Sequence, residues 1–489
     1  MTTPPASDFL RNRARQAMIE AGFEPEFPRE AQQEAQEAAT EPLPHTADIQ
    51  DLRGLLWSSI DNDESRDLDQ IEVAEQLPDG SIRVRVGIAD VDTFAPRDTP
   101  LDKHAFTNGM TVYTGVTIFP MLPEALCTQA SSLLGDAERL AVVIEMTVDA
   151  EGEVVHSNAY RAYVRNYAQL AYDAVGDWLE GTGPIPEHVA RVPGMEAQLR
   201  LQHEAAQRLL AQRKQAGMLD FETVEALPVM REGQVVGLTV PRKNAARSLI
   251  ENLMVAANIT LATFLEVTGM PSIQRVVRAP ERWARIVEIA RRLGDDLPET
   301  PNARALADFL VRRKATDPVH FSDLSLSVVK LLGPGEYAVV PSVRGDTGHF
   351  GLAAYRYTHA TAPNRRYIDL VLQRLLKAVS AKQAPPYIPA ELETIAAHCT
   401  QRETAARKVE RKIRKVAAAV LMSHRIGNVF DAIVTGTPAG KGTFARLLAP
   451  PVEGRILHGE EGLDVGDRVR LRLIHTDPER GFIDFARAD

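Results

Sequence analysis

Apolar and polar residues alternate from Ile71 to Asp92 in IEVAEQLPDGSIRVRVGIADVD, and the alternation reverses at Asp79-Gly80. Asp-Gly readily takes the positive φ angles of a tight turn, so the segment predicts a β-hairpin. AVVIEMTVDAEGEVVHSNAYRAYVRN repeats the pattern around Glu151-Gly152. Between about residues 168 and 265 the spacing becomes helical, in AYDAVGDWLE, MEAQLRLQHEAAQRLLAQRKQ and ARSLIENLMVAANITLATFL. Strands and helices mixed inside one unit predict an α+β core over residues 51–380.

The flanks read differently. Residues 1–50 predict short helices of helix-turn-helix kind: Ser7 is placed to cap the first, Pro28 opens a second, and Pro42 and Pro44 stop it. Residues 381–426 predict a long helix with a dense basic stretch. Arg402, Arg407, Lys408, Arg411, Lys412, Arg414 and Lys415 stand there against Glu403 and Glu410. A solvated helix face and a surface for a phosphate backbone both fit that pattern. Residues 427–489 return to short strands (VFDAIVTG, GTFARLL, DRVRLRLI, GFIDFA) with turns at Ala439-Gly440 and Asp477-Pro478. That spacing predicts a small OB-fold barrel, a platform for single strands, with Phe444 as its candidate RNA-contacting aromatic.

Length alone predicts several domains in 489 residues. No uninterrupted apolar run approaches a membrane span, and MTTPPASDFLRNRARQAMIE has no export signal, so the expected compartment is the cytoplasm. Two cysteines, Cys127 and Cys399, supply neither a disulfide framework nor a cysteine metal site. Any metal must be held by oxygen or histidine. The net charge of -10 argues against a protein that coats nucleic acid by charge alone, but not against an enzyme with an acidic centre.

The candidate chemistry lies in IDNDESRDLDQIE, residues 60–72, which gathers Asp61, Asp63, Glu64, Asp67, Asp69 and Glu72. So many like charges raise one another's pKa unless a cation joins them. A calcium EF-hand loop fits the acidic spacing but needs glycine where Arg66 stands, and a helix where a β-hairpin begins. A magnesium site that assists attack on a phosphodiester is the better reading, with manganese as an alternative ion.

The same loop resembles the signature of the ribonuclease II (RNB) family: an aspartate, five residues, then Asp-x-Asp-Asp. Asp61, Asp67 and Asp69 match, and Gln70 stands in place of the last aspartate. Further family-like segments follow in order, among them IFPMLPEALCTQASSL, GMLDF, SLIENLMVAAN and HFGLAAYRYTHATAPNRRYIDLVLQRLL, so that the resemblance covers about residues 51–380. It implies an RNB catalytic domain with a short N-terminal helical element and a C-terminal S1-like OB barrel. It also implies a 3′→5′ exoribonuclease that releases nucleoside 5′-monophosphates from single-stranded RNA threaded down a narrow channel, with no obligate protein partner and as a monomer.

Carried over residue by residue, the resemblance puts Asp61 and Asp69 at the metal and attacking water, with Gln70 as an uncharged ligand that Asp63 or Glu72 would compensate. Asp67 is the loop's third carboxylate. Arg365 would clamp the scissile phosphate, the alternative being an ion pair with Asp369, and Arg366 follows it on the RNA. Tyr113 and Phe221 would stack terminal bases, and Tyr172 and Glu251 would address the ribose. His349 and His359 are read as structural. The family usually carries two cold-shock barrels before the catalytic domain, where this chain has 50 residues. Gln70 also leaves open a rival reading, an RNA-binding regulator with an impaired centre.

Overall fold

The alternating segments pair into one mixed six-stranded sheet. Its strands are β1 (Ile49–Asp51), β2 (Trp57–Asp61), β3 (Gln70–Gln76) and β4 (Ile82–Ala89), then, beyond the short hairpin β5 (Val112–Tyr113) and β6 (Ile118–Phe119), β7 (Glu138–Val148) and β8 (Val154–Ala171). The order is β1-β8-β2-β3-β4-β7, and β7 also pairs with β8, so the run from β8 to β7 closes on itself with β1 outside it. The computed structural model describes residues 6–222, 225–318, 320–340, 348–436 and 442–488.

Both expected hairpins form, β3 with β4 and β7 with β8. Two stretches within 168–265 depart from the helical reading. β8 runs 18 residues, through Ala171, because its first part pairs with β7 and its last part with β2. Leu227–Arg231 and Gln234–Thr239 form a further hairpin, whose turn places Glu232 and Gly233 at φ 51° and 76°. Glu-Gly was the available signal.

Helix Ala245–Val267 is long and apolar enough by composition to cross a membrane, with a mean hydropathy of 1.4, but 67% of that stretch is buried within the protein. It packs against β7, β8 and helix Met195–Ala216. Trp57, Ile60, Ile71, Val84, Val86 and Val143 fill the sheet's core without exposure.

The N-terminal helices Ala6–Glu20 and Arg29–Thr40 dock at separate places. Leu10, Ala14, Ala17 and Met18 of the first bury against the long helix Pro389–Met422. Ala31 and Ala35 of the second join the main core. The Ser7 side chain and the Ala439-Gly440 turn lie outside the described residues. At the C-terminus, Val429–Gly436, Thr443–Leu447, Glu453–His458, Arg468–Asp477 and Phe482–Arg487 close a five-stranded barrel. Alternate residues Ala445, Leu447, Leu471 and Leu473 fill it.

Candidate active site

β2 runs parallel to β8 with Asp61 opposite Ala171, so both strands end at one edge and Tyr172 emerges beside the acidic loop. The loop then turns on itself. Asp61 Oδ1 accepts from the Asn62 N–H (2.7 Å) and from Ser65 Oγ (2.9 Å). The returning limb is held by Ser132, whose Oγ accepts from the Leu68 N–H (2.9 Å) and donates to the Arg66 carbonyl (2.6 Å). β3 follows at Gln70 with no helix between, which removes the EF-hand geometry.

A second strip of chain closes the site. The Thr111 N–H donates to the Arg365 carbonyl, and Met110 bridges to Arg366, so residues 110–113 and 364–366 lie side by side. The pairing brings Tyr113 to the loop, where its hydroxyl meets Asp67 Oδ2 at 3.2 Å. It also brings Asn364 and Arg365 to Asp69. The Asn364 N–H donates to Asp69 Oδ1 (3.1 Å), and Arg365 Nε lies 3.1 Å from Asp69 Oδ2, off the line of a hydrogen bond. Asp69 is 1% exposed, whereas the Arg365 side chain is 42% exposed and open to a ligand.

Electrostatics mark this carboxylate as unusual. Burial pushes Asp69 up to about 7; Arg365 and the Asn364 N–H pull it back, while the charges of Asp67 and Asp369 add to the rise. Glu72, three residues on in β3, has no exposed surface. Burial, and then the charge of Asp61, hold its carboxyl well above the usual range. Burial likewise raises the hydroxyls of Tyr113 and Tyr172, which keeps both neutral.

The other sequence candidates fall at varying distances from this centre. Arg366 rather than Arg365 makes the ion pair with buried Asp369, as a two-pronged fork of 2.9 and 2.7 Å. Gln70 is 4% exposed at the start of β3. Glu251 is exposed on Ala245–Val267, one turn beyond Arg247. Phe221 is half-buried at the edge of the cluster built by Trp283, Phe309 and Phe321, and the structure gives it no contact with the carboxylates. Phe444 lies partly open on the barrel, between inward-facing Thr443 and Ala445. Asp63 and Glu64 point to solvent. His359 is bonded to the Tyr337 hydroxyl at 2.7 Å, and burial holds it far below its ordinary pKa; burial also lowers His349, to about 4. Both are neutral.

Sequence reasoning missed three contributors. Asn364 supplies the backbone donor to Asp69. Arg247 lays its guanidinium 4.4 Å over the Tyr172 ring and donates to Asn62 Oδ1 (3.2 Å). A cation in the first turn of a helix opposes the macrodipole, and that was the available signal. Glu410, amid the basic stretch, accepts the Tyr113 N–H at 3.1 Å. Four of the seven cations there have internal partners: Arg402 the Gly22 carbonyl, Arg407 Glu403, Lys412 Glu20 and Arg414 Glu225.

Among the described residues no three acidic, histidine or cysteine side chains converge into a closed metal cage. Magnesium does not need one, because it keeps several waters and takes one or two carboxylates plus substrate phosphate. Both oxygens of Glu72 are buried without a hydrogen-bond partner, and Asp69 Oδ2 faces only Arg365 Nε, off the line of a hydrogen bond; such under-satisfied acceptors fit a divalent cation.

This sheet, with its acidic loop facing an arginine segment and its terminal barrel, defines an RNB-domain protein. Residues 49–382 match the RNB domain and 428–488 match the RNase II-type exonuclease C-terminal S1 domain, and the chain belongs to the RNB family. It is similar to Ribonuclease R 1 of Lactococcus lactis, 29% identical over 494 residues that cover 94% of this chain and 59% of that protein. It is also similar to Ribonuclease R of Thermotoga maritima, 30% identical over 468 residues, 89% of this chain and 64% of that one. The chain thus spans less than two thirds of the length of either relative. Among solved structures, the apo form of Mycoplasma genitalium RNase R superposes with a TM-score of 0.87 at 25% identity, covering 98% of this chain and 78% of that one.

Proposed function

We propose that this chain is a 3′→5′ exoribonuclease that hydrolyses single-stranded RNA to nucleoside 5′-monophosphates, acting as a monomer. The observation that carries the reading is the meeting of buried Asp69 with half-open Arg365 between the Asp61–Asp67 loop and Tyr113. A paired carboxylate and guanidinium at one buried edge suit a phosphodiester that must be gripped while water attacks it.

Asp61 and Asp69, with the Gln70 amide oxygen, are the residues that would hold magnesium, or manganese in its place. Bound there, the ion would lower the pKa of water and offset charge on the phosphate. The chain's own groups do the rest. Arg365 offers two N–H donors to the scissile phosphate, as a planar fork matches two phosphate oxygens. The Asn364 N–H fixes the rotation of Asp69. Tyr113 offers its ring to the last base without reading its identity. Tyr172 and Glu251 offer hydrogen bonds to a ribose 2′-hydroxyl, which DNA lacks. Phe221 and Arg366 contact the strand nearby, and Phe444 contacts it on the barrel.

A 5′-labelled oligoribonucleotide and its DNA twin, incubated with magnesium, test this reading. The expected result is a ladder shortening from the 3′ end of RNA alone, abolished by Asp69→Asn. The rival, an impaired RNA-binding regulator, is favoured by Gln70. Tight RNA binding with no mononucleotide released in magnesium or manganese would establish it instead.

A further inference from the structure

Glu72 is the least explained side chain near the site. It is fully buried, both carboxylate oxygens lack a hydrogen-bond partner, and no arginine, lysine or histidine pairs with it among the described residues. An uncompensated buried carboxylate is expensive, so a folded protein either holds its proton or sets a cation beside it. Its place in the fold is specific. Glu72 lies opposite Ser58, three residues before Asp61 on the neighbouring strand. It also shares a strand face with Gln70, two residues away, because side chains alternate along a strand.

The polar surroundings do not satisfy it. Gln202 Nε2 donates to the Glu72 backbone carbonyl (3.2 Å) and to Ser58 Oγ (3.5 Å), not to the carboxylate. Gln202 Oε1 is itself a buried acceptor without a donor. Both carboxylate oxygens of Glu72 and the neighbouring Gln202 Oε1 are thus buried without partners, and with Glu72 ionised they offer only acceptors, the set that a cation takes.

We propose that Glu72 supplies to the divalent cation the negative charge that the loop lacks at Gln70, so that the carboxylate has moved one pleat along the same face of β3. The inference rests on the metal-assisted reading above. Glutamate reaches one methylene further than aspartate, and the two Cα positions are about 7 Å apart along the strand. Chain-fold and charge number are thereby conserved while the motif is not.

Manganese binding measured without RNA, by the electron paramagnetic resonance signal of free Mn²⁺, tests this on the full chain. Glu72→Gln keeps shape and removes charge; its affinity should fall by at least about tenfold. Adding Gln70→Asp to Glu72→Gln should restore it. An unchanged affinity in Glu72→Gln overturns the proposal. So does a loss that Gln70→Asp fails to repair, because that outcome means distorted packing rather than missing charge. Should Glu72→Gln not fold, as judged by circular dichroism, Glu72→Leu with Gln70→Asp takes its place, and absence of manganese-linked thermal stabilisation there counts against the idea. RNA cleavage by the wild-type chain is read separately. A chain that binds manganese through Glu72 but cuts nothing keeps this inference and loses the exoribonuclease reading.

Discussion

Replacing Asp69 by Asn should stabilise the metal-free protein while abolishing its activity. Asn keeps the acceptor for the Asn364 N–H and removes the charge that burial disfavours. Raising a carboxyl from 3.8 to about 7 corresponds to about 4 kcal/mol of preference for the protonated form. The folded-state value lies above the unfolded one, so folding takes up a proton. Stability from this group is fully present below about pH 4 and is lost as the pH rises through about 7. Wild-type protein in chelator should therefore lose up to about 4 kcal/mol between pH 4 and pH 8 from this group, a figure that already includes the pull of Arg365. Asp69→Asn should lack that slope. Urea melts of both proteins in chelator, at half-unit steps from pH 5 to 8, measure the difference. Parallel stability curves would refute the reasoning, since they would mean that Asp69 ionises as freely folded as unfolded. Excess magnesium should flatten the wild-type curve alone.

Other substitutions separate the roles further. Arg365→Lys keeps the charge but loses the fork, so single-turnover cleavage should fall by roughly a hundredfold with the melting temperature unchanged. Arg366→Ala strands buried Asp369 and should cost about 3–5 kcal/mol in denaturant melts. Tyr113→Ala should weaken RNA binding in chelator by about 1–3 kcal/mol, read by fluorescence anisotropy. Tyr113→Phe loses only the contact with Asp67 and should bind nearly as the wild type does.

Much of this molecule was legible because its hairpins carry their own turn chemistry. Asp79-Gly80 and Glu151-Gly152 announced β3 with β4 and β7 with β8; Asp69 leads into β3, while Asp61 ends β2, which those turns do not flank. The α+β class and the closed terminal barrel followed from the same alternation. The long reach of β8 was not legible, because residues 168–171 read equally well as the start of the helix that follows. Which arginine meets which aspartate was also hidden. Arg365 and Arg366 are adjacent and alike in sequence, and only the Met110 and Thr111 contacts decide that one faces Asp69 and the other Asp369. Backbone donors such as the Asn364 N–H leave no trace in residue identity at all.

The helix Pro389–Met422 has 34 residues, so it forms a rod about 50 Å long. Near its middle Glu410 holds the Tyr113 backbone, its flank seats the first N-terminal helix, and at Lys415 and Val416 it presses so closely on Gly481 of the barrel that a β-carbon there would collide. Three working parts are thus bolted to one girder. A substitution that bends or shortens this one helix, such as a proline near its middle, would therefore disturb all three contacts together.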